Sequence, residues 1–190
     1  MSNELRFYKH RRRINKKTKI KYLIRVLIGL GVAAIAVLLT IAFGKRESVG
    51  DAGMAPTLEH GQVVMVDRVA YNLFSPKKNE IIAFAPNGGE RSVVYIRRII
   101  GLPGDRIQIL KGKIYINGEE YQDKFTTEPI KLPGLADSEV TVGEGEYFVL
   151  GDNRNLSEDS RSEAIGNVKK KDIIGKAWFR AAPIFNMGFI

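Results

Sequence analysis

Val93-Val94-Tyr95-Ile96-Arg97-Arg98-Ile99-Ile100, followed directly by Gly101-Leu102-Pro103-Gly104-Asp105, decides how the chain is read. Eight residues rich in β-branched and aromatic side chains, stopped by a Gly-Pro-Gly turn, form a strand and its terminator. Working outward, Arg106–Leu110 and Lys113–Ile116 read as a hairpin across Lys111-Gly112, and Asn117-Gly118 marks the next turn. Upstream, Val63–Val69 and Ile81–Ala85 have the same short apolar character; downstream, Glu146–Leu150 and Ile173–Ala182 repeat it. Residues 122–142 are polar and proline-bearing and read as a surface excursion, and residues 152–172 as a charged loop. The fold class expected is mainly β, an antiparallel sheet domain.

In front of this domain lies a segment of a different kind. Val26–Phe43 is eighteen residues without a charge, about 27 Å as a helix, close to the thickness of a hydrocarbon core. A cleavable signal peptide has a shorter apolar core and a small-residue exit, whereas this segment leaves through Ala42-Phe43-Gly44-Lys45-Arg46. An uncleaved anchor is the expectation. The organisation is then a basic tail over 1–25, an anchor over 26–43 and an extracytoplasmic domain over 44–190.

The charge supports the same layout. Of 30 basic and 21 acidic residues, ten bases and one acid fall in residues 1–25, leaving a neutral remainder. The positive-inside rule places the tail in the cytoplasm and the domain outside. Membrane lipids touching residues 1–43 account for the excess charge, and no nucleic-acid partner is needed. Cysteine is absent, which excludes disulfides and thiolate metal sites. The two histidines, His10 in the tail and His60 in a Glu-His-Gly turn, make no zinc site, so neither metal nor cofactor is expected.

Behind the anchor come Gly53-Met54-Ala55-Pro56-Thr57-Leu58 with Gly61-Gln62-Val63-Val64, then Tyr95–Asp105, then Gly151-Asp152-Asn153-Arg154-Asn155-Leu156-Ser157-Glu158-Asp159-Ser160-Arg161. In order and spacing these blocks resemble the bacterial type I signal peptidases, from about residue 20 to the end. The resemblance implies a signal peptidase-like fold and a serine–lysine dyad. In the family, a serine directly before the Met of the first block attacks the scissile carbonyl. A lysine directly before the Arg of the second block receives the serine proton as a neutral amine.

Here those positions hold Gly53 and Arg97. Glycine has nothing to attack with, and arginine does not give up its proton at ordinary pH. Asp51 stands where the family usually has glycine or serine beside the oxyanion hole, and a carboxylate there repels a developing oxyanion. No functional catalytic residue is expected, which makes this a signal peptidase-like pseudoenzyme. A buried Arg97 needs an anionic partner in the space left at position 53, and Asp51 is the acid nearest that position in sequence.

Met54, Pro56, Asp152, Arg154, Asp159, Ser160 and Arg161 are expected to bind peptide or hold the structure. In active members the acidic and basic residues of the third block tie loops together, and the position of Ser160 orients the lysine amine. Ser48 lies outside the nucleophile position, and Lys169-Lys170-Lys171 reads as a solvated loop. The resemblance implies partners among exported protein or pilin segments, with a sortase or an active signal peptidase as neighbours. Degenerate Gram-positive members occur beside sortase-assembled pilus systems, in a chaperone-like role. The alternative is an active type I signal peptidase that cleaves signal peptides of secreted proteins.

Overall fold

The computed structural model describes residues 16–88, 93–125 and 128–190. Most of the basic tail, with His10, lies outside the described residues. The chain divides into two compact units, Met1–Ala42 and Phe43–Ile190.

Helix α1 runs Lys16–Phe43, all but its last residue in the first unit, and begins ten residues before the uncharged stretch. Its Lys17–Val37 segment has a mean hydropathy of 2.0, long and apolar enough to cross a membrane. Leu27, Ile28, Leu30 and Val32 are all exposed. A helix that is apolar all round has its favourable surroundings in hydrocarbon.

The second unit is built of antiparallel strands: β1 Gly44–Ser48, β2 Val63–Asp67, β3 Ile81–Phe84, β4 Tyr95–Gly101, β5 Arg106–Leu110, β6 Lys113–Ile116, β7 Glu119–Glu120, β8 Val140–Thr141, β9 Glu146–Leu150, β10 Val168–Lys169, β11 Ile173–Ala182 and β12 Gly188–Phe189. Among the described residues they form two sheets. The larger has the order β1-β2-β11-β3-β4-β9-β10 with β12 added to β11, and the smaller has the order β7-β6-β5-β8. The turn after β4 carries the chain from one sheet to the other.

Sequence chemistry explains the pattern. β3 is buried along its whole length, and its period of two sends Ile81 and Ala83 into one core cluster and Ile82 and Phe84 into another. The smaller sheet packs Ile107, Ile109, Ile114 and Ile116 against Ile100, Phe148 and Leu150 of the larger one. Lys111-Gly112 and Asn117-Gly118 all have positive φ, the condition for the tight hairpin turns expected at those two places.

Three readings need correction. The strand expected over Val63–Val69 ends at Asp67, because its Oδ1 accepts the Val69 and Ala70 N–H groups and turns the chain into a short helix, α2, Ala70–Leu73. The stretch 122–142 is not wholly a surface excursion, since it contributes β8 and a short 3-10 turn at Gly134–Asp137, and Ile130 and Ala136 are buried in the smaller sheet's core. Residues 152–167 are loop, with β10 following at Val168–Lys169, and within that loop the side chains of Asp152, Arg154, Asp159 and Arg161 are interior while Glu158 and Glu163 are exposed. By contrast Lys169, Lys170, Lys171 and His60 are exposed, as expected.

β11 sits between β2 and β3, with a register irregularity at Ile173/Gly175. A Cβ at Gly175 would stand 2.2 Å from the Asp67 carbonyl oxygen and 2.9 Å from Val66 Cγ1. Gly175→Ala is therefore expected to lose about 3 kcal/mol of stability, through strand displacement in the middle of the sheet. Urea unfolding of the variant against the wild type measures it.

Candidate functional site

The site is assembled from three segments: the 49–62 connection between β1 and β2, strand β4, and the loop after β9. Successive residues on a strand point to opposite faces. Arg97 and Arg98 of β4 thus reach opposite sides, and each finds its own carboxylate.

Arg97 is 1% exposed. Its Nη2 donates to Asp51 Oδ2 at 2.8 Å and its Nη1 to Asp51 Oδ1 at 3.2 Å, a two-pronged pair. The Arg97 Nε donates to the Glu158 carbonyl at 2.8 Å, and Nη1 also to the Ile96 carbonyl at 2.7 Å. The Tyr95 ring lies 5.4 Å from the guanidinium carbon, and its hydroxyl donates to Glu158. The expected Arg97–Asp51 ion pair is present. Gly53 lies against it: a Cβ there would be 2.8 Å from Asp51 Oδ1 and 3.0 Å from Arg97 Cζ. The ion pair fills the space that a nucleophile's side chain would need.

Burial pushes the Asp51 carboxyl up, but the Arg97 hydrogen bonds and charge, with the Gly53 N–H, outweigh it and hold the group below its usual range. A depressed native value means stability that is full above the unfolded-state value near 3.8 and lost as pH falls through the native one. The stability difference between wild type and Asp51→Asn is therefore expected to be flat from about pH 5 to 8 and to shrink below about pH 4. Denaturant unfolding at stepped pH measures it.

On the other side, Arg98 binds Asp152 two-pronged, Nε to Oδ1 at 2.8 Å and Nη2 to Oδ2 at 2.6 Å. Thr57 Oγ1 donates to Asp152 Oδ2 at 2.5 Å, which fastens the first block to the third. The Asn153 N–H donates to the Gly53 carbonyl at 3.0 Å. Arg98 also donates to the Asn79 carbonyl and lies over the Phe125 ring, 3.5 Å from its centre.

The rest of the third block is an internal network of charged side chains. Asp159 takes Nε and Nη2 of Arg161, each at 2.8 Å, along with the Gly151 N–H and the Ser157 hydroxyl. Arg161 Nη2 donates to the Arg154 carbonyl, and Arg154 donates to the Gly151 carbonyl and pairs with Asp123. Ser160 Oγ accepts the Val149 N–H at 2.9 Å, and the Ser160 N–H returns to the Val149 carbonyl. These bonds are architectural: they hold the loop, and none delivers a hydroxyl to Gly53. Met54 is fully buried, while Pro56 is exposed and lines a cleft of about 340 Å³ with Lys124, Phe125, Asp152 and Arg154. Among the described residues no group of three or more His, Cys, Asp or Glu is placed to hold a metal ion.

Sequence reasoning missed Arg98, Asn79, Asp123 and Phe125. One signal was available for Arg98, since a second arginine on an apolar strand needs a carboxylate as much as the first. Nothing local marked the others.

A family model described as signal peptidase, peptidase S26, matches residues 20–182. Signal peptidase I U of Bacillus subtilis (strain 168) is 34% identical over 168 residues, covering 85% of this chain and 88% of the relative. A probable signal peptidase I-2 of Synechocystis sp. is 32% identical over 160 residues, covering 79% and 71%. A crystal structure of a signal peptidase I from Enterococcus faecalis V583 is 32% identical, covers 54% of this chain and 97% of that one, and superposes with a TM-score of 0.42. By the span of the family match and the identity to these relatives, the chain belongs to the signal peptidase family, peptidase S26.

Proposed function

We propose that this chain is a catalytically inactive signal peptidase I homologue that binds extended segments of exported proteins without cutting them. The observation that carries the reading is the centre itself: Gly53 with no side chain, lying against a buried Arg97–Asp51 pair. Amide hydrolysis by this family's chemistry needs a hydroxyl and a neutral amine, and these positions supply neither. An apolar α1 and the basic residues before it support an anchor in the cell membrane, with the N-terminus cytoplasmic and the β domain outside.

Extended peptides bind such domains by adding to a strand edge, a mode that needs no catalytic residue. In a Gram-positive cell the fitting clients are pilin segments awaiting a sortase, and the role is chaperone-like. The relatives' names favour a second reading, an active signal peptidase, and the two separate in cells depleted of their own enzyme. Expression of this chain is expected to leave pre-proteins unprocessed and to bring uncut segments down with it. Restored processing would support the second reading.

A further inference from the structure

Three hydrogen-bond donors converge on one carboxylate. Asp51 Oδ1 accepts the Gly53 N–H at 2.7 Å and Arg97 Nη1 at 3.2 Å, and Oδ2 accepts Arg97 Nη2 at 2.8 Å. The donors are fixed by bonds that do not involve Asp51. Arg97 is tied to the carbonyls of Glu158 and Ile96, and the Gly53 carbonyl is held by the Asn153 N–H. The acceptor is the looser half, its side chain 41% exposed against 1% for Arg97.

We infer that the Gly53 N–H and the Arg97 guanidinium form a preorganised carboxylate receptor, and that Asp51 is its built-in occupant. The donor set suits this ligand class. A planar guanidinium takes a carboxylate by two parallel bonds, and a backbone N–H completes the shell of one oxygen. A nucleophile's own N–H is the kind of group that serves an oxyanion hole in acyl transfer. Here it is engaged by a full negative charge. Charge-assisted bonds are about twice as strong as neutral ones, so a peptide carbonyl does not displace the carboxylate. Asp51 thus plugs the centre. This deepens the non-catalytic reading and rests on it for the plug's meaning, while the receptor stands on geometry alone. A segment held along the strand edges keeps its carbonyls unpolarised at position 53. With the Asp51 carboxylate removed, the receptor takes a small external carboxylate instead.

The test uses the full chain in lipid vesicles, with thermal unfolding followed in sodium formate and in sodium chloride at equal ionic strength. Asp51→Ala is expected to unfold several degrees below wild type in chloride and to recover part of that loss in formate, saturably. Wild type and Asp51→Asn, whose site remains filled, are expected to show the same midpoint in both salts. If Asp51→Ala does not fold in chloride, the folded yield in formate against chloride carries the same readout. An equal midpoint or yield for Asp51→Ala in the two salts overturns the receptor, as does an equal formate gain in wild type. Failure to capture exported segments alongside a clear formate response would reject the peptide-binding reading and leave the receptor intact. Capture without a formate response would do the reverse.

Discussion

Asp152→Ala is expected to lower the stability of the β domain by about 3–5 kcal/mol, among the largest losses available to a single truncation in this chain. Asp152 is 1% exposed and accepts from Arg98 through both oxygens and from the Thr57 hydroxyl. Removing it leaves a buried guanidinium with, among the described residues, the Asn79 carbonyl and the Phe125 ring, and it loosens the first block from the third. For a domain of this size the loss corresponds to a drop of roughly 10 °C in Tm. Exposed pairs behave otherwise. Arg106 and Glu139 are 54% and 44% exposed and meet at 3.4 Å, so Glu139→Ala is expected to change stability by less than about 1 kcal/mol. Thermal unfolding of the two variants side by side gives the contrast; comparable losses would refute the assignment of the third block as an internal truss.

The second large effect concerns chemistry. Restoring the dyad residues with Gly53→Ser and Arg97→Lys is expected to leave the chain inactive while Asp51 remains. A side chain at position 53 meets the Asp51 carboxylate at 2.8 Å, and that carboxylate still takes the backbone N–H of the new serine. Adding Asp51→Gly frees both the space and the donor. A lost oxyanion donor costs about 10²–10³ in rate, so the triple variant should cleave a pre-protein at least about 100-fold faster than the double. Equal activity of the two would show that Asp51 is no obstacle. Quantitative gel or mass analysis of the released signal peptide gives the ratio.

How much of this was legible beforehand differs by element. The strands at Ile81, Tyr95 and Glu146 announced themselves by short runs of apolar, β-branched and aromatic residues, though the one expected from Val93 begins two residues later. The turns at Lys111-Gly112 and Asn117-Gly118 were marked because only residues tolerating positive φ close them. β1 did not. Gly-Lys-Arg-Glu-Ser has no apolar residue, and it becomes a strand because β2 presents an edge to pair with. β7, β8, β10 and β12 are two residues each, too short for any period to register.

At the site, the Arg97–Asp51 pair was legible because a buried cation has few options and Asp51 stands two residues from position 53. The Arg98–Asp152 pair spans 54 residues of sequence, and the Arg154–Asp123 pair joins two loops, so both depend on a topology that local pattern does not encode. The burial of Asp159 and Arg161 was hidden for a related reason: a charged run ordinarily faces water, and only a mutually satisfied network overrides that tendency.

The most direct measurement is prolonged incubation of the intact wild-type chain, reconstituted in vesicles, with a purified pre-protein, read by mass spectrometry beside an active relative. The account predicts an unchanged pre-protein mass where the relative releases the mature form. A mature product appearing with the wild-type chain alone would contradict it, since positions 53 and 97 would then have to support a reaction for which they hold no chemistry.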